Sequence, residues 1–162
     1  MKKEKGINFK LLAICFTLVF LTSFIGSMFS STNTNSEWYN SIKPNITPPG
    51  FVFPIVWSIL YLFIFISMYL SINQASKKEK IKLWTLFVIN LILNTFWSYF
   101  FFYSKNPPLA FVDIILMLVS TLILLKETHK ISKTSFYLLV PYFLWIGFAS
   151  ILNYLAALKF IN

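Results

Sequence analysis

The chain has 162 residues, 57% of them hydrophobic and 12% charged, and a formal net charge of +9. With a mean hydropathy of +0.72, that composition excludes an ordinary soluble domain and indicates a membrane protein. All 14 basic residues are lysines; with no arginine to read base edges, nucleic acid is not an expected partner.

Five windows are long enough to cross about 30 Å of hydrocarbon at about 1.5 Å per residue. They run from Leu11 to Phe29, Phe51 to Ile72, Leu83 to Tyr103, Leu109 to Leu125 and Phe136 to Leu158, and only the fourth contains a charge, Asp113. They predict an all-α integral membrane protein, a five-helix bundle forming one domain over 1–162. The helices are expected at about 9–29, 51–73, 82–104, 108–126 and 134–158, with a capping loop over 30–50.

The first window resembles a secretory signal in having lysines before an apolar run. Its 19 uncharged residues exceed a signal core of about 7–15, and no clean cleavage site follows, so it reads as a retained helix. Cys15 has no cysteine to pair with and reads as a small apolar residue. Eleven lysines fall before the first span or between the second and third and the fourth and fifth; only Lys43, Lys105 and Lys159 fall on the other side. This bias places the N-terminus inside and the C-terminus outside, with anionic head groups near the lysine-rich side.

The connection SSTNTNSEWYNSIKPNITPPG over 30–50 is too rich in stiff and bulky residues for a tether and reads as a packed cap on the outer face. Pro48 and Pro49 suit the first turn of the second span, and Pro107 and Pro108 that of the fourth. Pro54 and Pro141 are expected inside helices, where each frees a carbonyl and invites a bend. Trp84 reads as part of the interfacial aromatic belt. Gly26 and Ser30 form a small-xxx-small pair that serves either a dimer contact or packing within one copy.

In NLILNTFWSYFF, residues 90–101, Asn90, Asn94, Trp97 and Ser98 share one helical face. Measured from the outer ends at about 1.5 Å per residue, Trp57 and Trp97 lie roughly 9 Å deep, Asn94 and Ala149 roughly 13 Å, Asp113 roughly 6 Å and Asn153 roughly 7 Å; Trp145 is nearer the midplane at about 20 Å. The unusual residues of the last four spans thus converge under the cap. Aromatics with a few polar groups are the lining of a small-molecule site, although the asparagines equally suit hydrogen bonds between helices and Asp113 a structural role. His129, the only histidine, lies in an inner loop. No metal site, activated nucleophile or phosphate loop can be assembled, so conventional side-chain catalysis is disfavoured.

WYNSIKPNITPPG (38–50), Trp57 with Leu60-Tyr61, NLILNTFWSYFF, AFVD (110–113) and PYFLWIGFASILN (141–153) resemble, in order, the signatures of the TspO/MBR family. This family unites the tryptophan-rich sensory proteins of bacteria with the mitochondrial translocator protein, or peripheral-type benzodiazepine receptor. The resemblance implies a five-helix bundle, often a homodimer, in a prokaryotic cell membrane. Its pocket under the first loop would bind protoporphyrin IX, haem or benzodiazepine-type ligands, and sterols in some members, with no required cofactor.

Carried over, the pocket comprises Tyr39, Pro49, Trp57, Tyr61, Asn94, Trp97, Ser98, Asp113, Ile114, Trp145 and Ala149. Trp57 and Trp145 would be the oxidisable groups if the protein promotes light-dependent breakdown of protoporphyrin. The leading expectation is a receptor or carrier, with this light-dependent breakdown as one alternative and a lipid- or sterol-binding or transport protein as the other. Ile46 and the pair Thr95-Phe96 stand where many members have tryptophan, which alters the pocket rim. Leu152, Tyr154 and Lys159 fit a loose sterol-recognition pattern.

Overall fold

The computed structural model describes residues 6–162. It is all-helical, with no strand among the described residues: α1 (Phe9–Ser31), α2 (Glu37–Ile42), α3 (Val52–Gln74), α4 (Lys77–Ser98) continued by a π-helical turn (Tyr99–Tyr103), α5 (Pro107–Ile131) and α6 (Lys133–Ile161). The five long helices are each long and apolar enough to span a membrane.

Short polar caps set the breaks. Asn8 accepts from the Leu11 amide, and Ser36 does the same for α2 from Tyr39. Ser76 and Glu79 form a capping box, which draws the lysine segment into α4 and starts that helix at Lys77 rather than near residue 82. Asn106 caps α5, whose first two residues are Pro107 and Pro108, where missing N–H groups cost nothing. Ser132 ends α5 and caps α6.

Two proline expectations change. Pro48 and Pro49 precede α3, and the Pro49 carbonyl accepts from the Val52 amide at 2.9 Å. Pro54 is the third residue of α3, where its N–H would have no intrahelical partner, so it frees no carbonyl. Pro141 alone sits well inside a helix, α6.

Around the bundle the long helices follow the order α1, α3, α6, α5, α4 and back to α1. Cap helix α2 closes one end; most lysines lie at the other. Ile42 of α2 is buried with Phe101, Phe102, Ala110 and Ala156. The cap is tied down by Asn33 Nδ2, which donates to the Phe102 carbonyl at 3.0 Å, and by Lys159 Nζ, which donates to the Lys43 carbonyl at 2.9 Å. After the π-helical turn the chain reverses through Lys105, at φ 49°.

The interior is joined by a chain of hydrogen bonds across four helices. Tyr61 Oη of α3 donates to Asn94 Oδ1 of α4 at 2.6 Å, and Asn94 Nδ2 donates to Tyr142 Oη of α6 at 3.2 Å. Tyr142 in turn donates to Asn90 Oδ1 at 3.0 Å, and Asn90 Nδ2 donates to Ser120 Oγ at 2.7 Å and Thr121 Oγ1 at 2.9 Å on α5. Both hydroxyls end on the Met117 carbonyl at 2.8 Å. Asn90 is 1% exposed, Asn94 3% and Tyr142 0%. In hydrocarbon these groups have no other partner, so the bonds set how the helices face one another.

Beside the network α1 approaches closely at Gly26. A Cβ there would stand 3.5 Å from Ser98 Oγ and 3.8 Å from Tyr61 Oη of α3. Of the two roles open to the Gly26–Ser30 pair, Gly26 serves packing within one copy.

Tyr142→Phe is expected to lower stability by about 1–2 kcal/mol, because it strands Asn90 Oδ1 and removes an acceptor from Asn94. Gly26→Ala should be tolerated, since its added Cβ makes ordinary contacts, whereas Gly26→Leu should cost about 1–3 kcal/mol by overpacking. Thermal unfolding of the purified variants in detergent measures all three.

Candidate ligand site

Two contacts set the register of the antiparallel pair α5 and α6. Asn153 Nδ2 donates to the Pro107 carbonyl at 2.8 Å near the cap, and Asn94 Nδ2 touches both Met117 Sδ at 3.6 Å and Tyr142 Oη at 3.2 Å deeper in. Between these rungs lie Asp113 and Ile114 on α5 and Trp145 and Ala149 on α6; counted from the Pro107–Asn153 rung, Asp113 and Trp145 differ in depth by only about 3 Å, not the roughly 14 Å implied by counting each from its own predicted helix end.

Most polar groups around this level are already engaged. Tyr61 and Asn94 bond each other, and Trp97 Nε1 donates to Asn153 Oδ1 at 2.8 Å while its ring stacks on Phe101 at 5.5 Å. Ser98 lies toward α1 and Gly26. The asparagine face thus looks onto Tyr61 and Tyr142, the interhelical role left open by the sequence.

Two side-chain atoms differ. Asp113 is 6% exposed, yet its Oδ2 has no hydrogen-bond partner, and the buried Trp145 Nε1 has none. One is an acceptor and the other a donor, and an unpaired buried polar group costs about 1–3 kcal/mol. The tryptophans at this level sit among aromatic and apolar side chains. Trp57 lies 5.5 Å from the Tyr61 ring and 6.4 Å from Tyr142, Trp145 lies 5.9 Å from Phe53, and Ile114 and Ala149 are buried. On its membrane side Trp145 also lines a groove of about 450 Å³ between α3 and α6, with Val56, Leu60, Phe63, Leu144 and Phe148.

The remaining candidates are dispersed. Tyr39 is half-buried in the cap against Phe101 and Phe102, and burial raises its phenol pKa above the ordinary value. Pro49 is exposed beside the start of α3. Leu152 is buried while Tyr154 is exposed on the opposite side of α6, and Lys159 is bound to the cap, so the sterol-like pattern does not form one face. Of the two departures at the rim, Ile46 is exposed on the cap, and Phe96 faces outward beside Thr95 along the groove between α1 and α4.

Sequence reasoning missed Tyr142, the hub of the network. Its signal was its place three residues before Trp145 at the depth of Asn90 and Asn94. No group of three or more His, Cys, Asp or Glu that could hold a metal occurs among the described residues, and His129 packs on Phe136 toward the lysine end. The arrangement suits noncovalent recognition of an apolar ligand through one donor and one acceptor.

The profile of the TspO/MBR family matches residues 13–158. The tryptophan-rich protein TspO of Bacillus cereus is 41% identical over 72% of this chain and 76% of its own length. The corresponding protein of Chlorobaculum tepidum is 35% identical over 88% and 91%, and the translocator protein of Bos taurus 30% identical over 88% and 86%. With five apolar helices and matches spanning most of both partners, the chain is a prokaryotic integral membrane protein and belongs to the TspO/MBR family.

Proposed function

We propose that this protein is a membrane receptor or carrier that holds a tetrapyrrole, such as protoporphyrin IX or haem, or another planar apolar ligand of benzodiazepine type, in the half of the bundle beneath the cap. The observation that carries this reading is the pair of orphaned atoms, Asp113 Oδ2 and Trp145 Nε1, at one level among aromatic side chains. A ligand that met both would remove two desolvation penalties at once. Trp57, Ile114 and Ala149 would supply apolar contact. Asn94, Tyr61, Trp97 and Ser98 would hold the walls, and Tyr39 with Pro49 would close the cap side. Stress sensing or porphyrin handling would follow from occupancy.

In this reading the cap faces outward and the lysine-rich end faces the cytoplasm, in keeping with eleven lysines against three. A homodimer would form through faces other than Gly26, which is buried inside one copy. The second reading is light-dependent oxidation of the bound porphyrin by dissolved dioxygen, with the porphyrin itself as sensitiser. It is favoured by Trp57 lying within 6.4 Å of two tyrosine rings, a cluster of oxidisable groups.

Titrating the purified protein with protoporphyrin IX in the dark should give saturable quenching of tryptophan fluorescence. Trp145→Phe keeps an aromatic ring but loses the N–H, and should weaken binding about threefold to tenfold; unchanged affinity would remove Trp145 from the site, and absence of saturable binding would overturn the tetrapyrrole reading. On illumination, loss of the porphyrin bands faster than in detergent alone would support photo-oxidation, and equal loss would exclude it.

A further inference from the structure

Asp113, the seventh residue of α5, is acidic and 6% exposed. The ion pairs among the described residues belong to Glu127, with Lys82 and Lys130 at the opposite end of the bundle. Asp113 therefore has neither a cation nor a hydrogen bond at Oδ2. In contrast, the network one turn deeper is bonded from Tyr61 through to the Met117 carbonyl. Whether ionised or neutral, a carboxyl group retains acceptor capacity. At a position this buried, a ligand with an N–H loses its hydration on entry and can recover a bond at Asp113 Oδ2. One that replaces the N–H by N-alkyl leaves the oxygen stranded and meets it with a methyl group.

We propose that Asp113 makes the site selective for planar aromatic ligands that carry an N–H donor, of the pyrrole, indole or carbazole class, over their N-alkylated counterparts. The inference rests on the ligand site proposed above and adds a rule for what that site admits. Discrimination of this kind is large because the mismatched ligand leaves a buried group unpaired, whereas an extra methyl in a purely apolar pocket changes affinity little.

The test uses carbazole and N-methylcarbazole, which differ by that one substitution. Each is titrated into the purified full-length protein in detergent, with protoporphyrin IX titrated in parallel. Carbazole should bind at least tenfold more tightly than N-methylcarbazole, against the slightly greater partitioning of the methylated compound into detergent. Asp113→Leu should abolish the preference by weakening carbazole, with a thermal midpoint no lower than that of the parent protein. Asp113→Asn keeps a carbonyl acceptor and should keep most of the preference.

Equal affinities in the parent protein would overturn the proposal, showing that a water or a rearranged side chain serves Oδ2. Failure of both compounds to bind would overturn it as well. Protoporphyrin binding without carbazole discrimination would defeat this rule alone. Carbazole discrimination without protoporphyrin binding would instead defeat the tetrapyrrole reading and leave the donor rule standing.

Discussion

The bond from Tyr61 to Asn94, and from Asn94 to Tyr142, is the constraint on which the bundle depends. Apolar packing alone gives helices in lipid little reason to choose one rotation over another, because lipid tails are as apolar as the side chains they would replace. Polar groups supply the choice. By placing one amide between two phenols from different helices, the chain fixes α3, α4 and α6 together, and Asn90 extends the link to α5 through Ser120 and Thr121. Only α1 among the five spans lacks a share in this network; it packs by Gly26 beside Ser98 and Tyr61, and its start is tied to α3 where the Asn8 amide donates to Tyr69 Oη at 3.1 Å and Asn73 Nδ2 donates to the Gly6 carbonyl at 3.3 Å.

The same logic divides the interior into two regions. In the deeper one each asparagine amide has partners and the helices are locked. Toward the cap, Asp113 Oδ2 and Trp145 Nε1 are left without them, although Asn153, nearby on α6, satisfies both Trp97 and the Pro107 carbonyl. Thr47 Oγ1 and Ser135 Oγ are also buried without partners, but only Asp113 and Trp145 come from two adjacent spans at nearly one depth, with the locked region beneath them as a rigid floor. The cap is similarly built for closure, resting Trp38, Tyr39 and Ile42 on Phe101 and Phe102 rather than on the helix ends alone.

The five spans were legible because hydropathy and length determine them directly, whereas the shared depth of Asp113 and Trp145 was not, because it depends on where α5 and α6 actually begin and end. Nor was the function of the asparagines. Spacing shows that Asn90 and Asn94 share a face but cannot say what stands opposite, and that depends on Tyr142, an ordinary-looking residue in an aromatic segment. Pro54 was misplaced because its effect turns on whether it is the third residue of a helix or a later one, and helix starts are set by local turns such as that from Pro49 to Val52. The early start of α4 had a visible signal in Ser76 and Glu79, but the run of lysines behind it read more readily as a loop.

The π-helical turn at Tyr99–Tyr103 acts as a change of phase. A π turn accommodates one residue more than an α turn, so residues within it are progressively rotated, by up to about 100° at its end, from where uninterrupted α-helical counting from Asn90 and Asn94 would put them. That rotation lets a single helix serve two masters: its lower face binds the tyrosines of α3 and α6, while Phe101 and Phe102 turn to receive the cap. The distance between the two tasks is therefore measured in angle as well as in length, and a one-residue insertion or deletion in this aromatic run would uncouple the cap from the helices without breaking a single span.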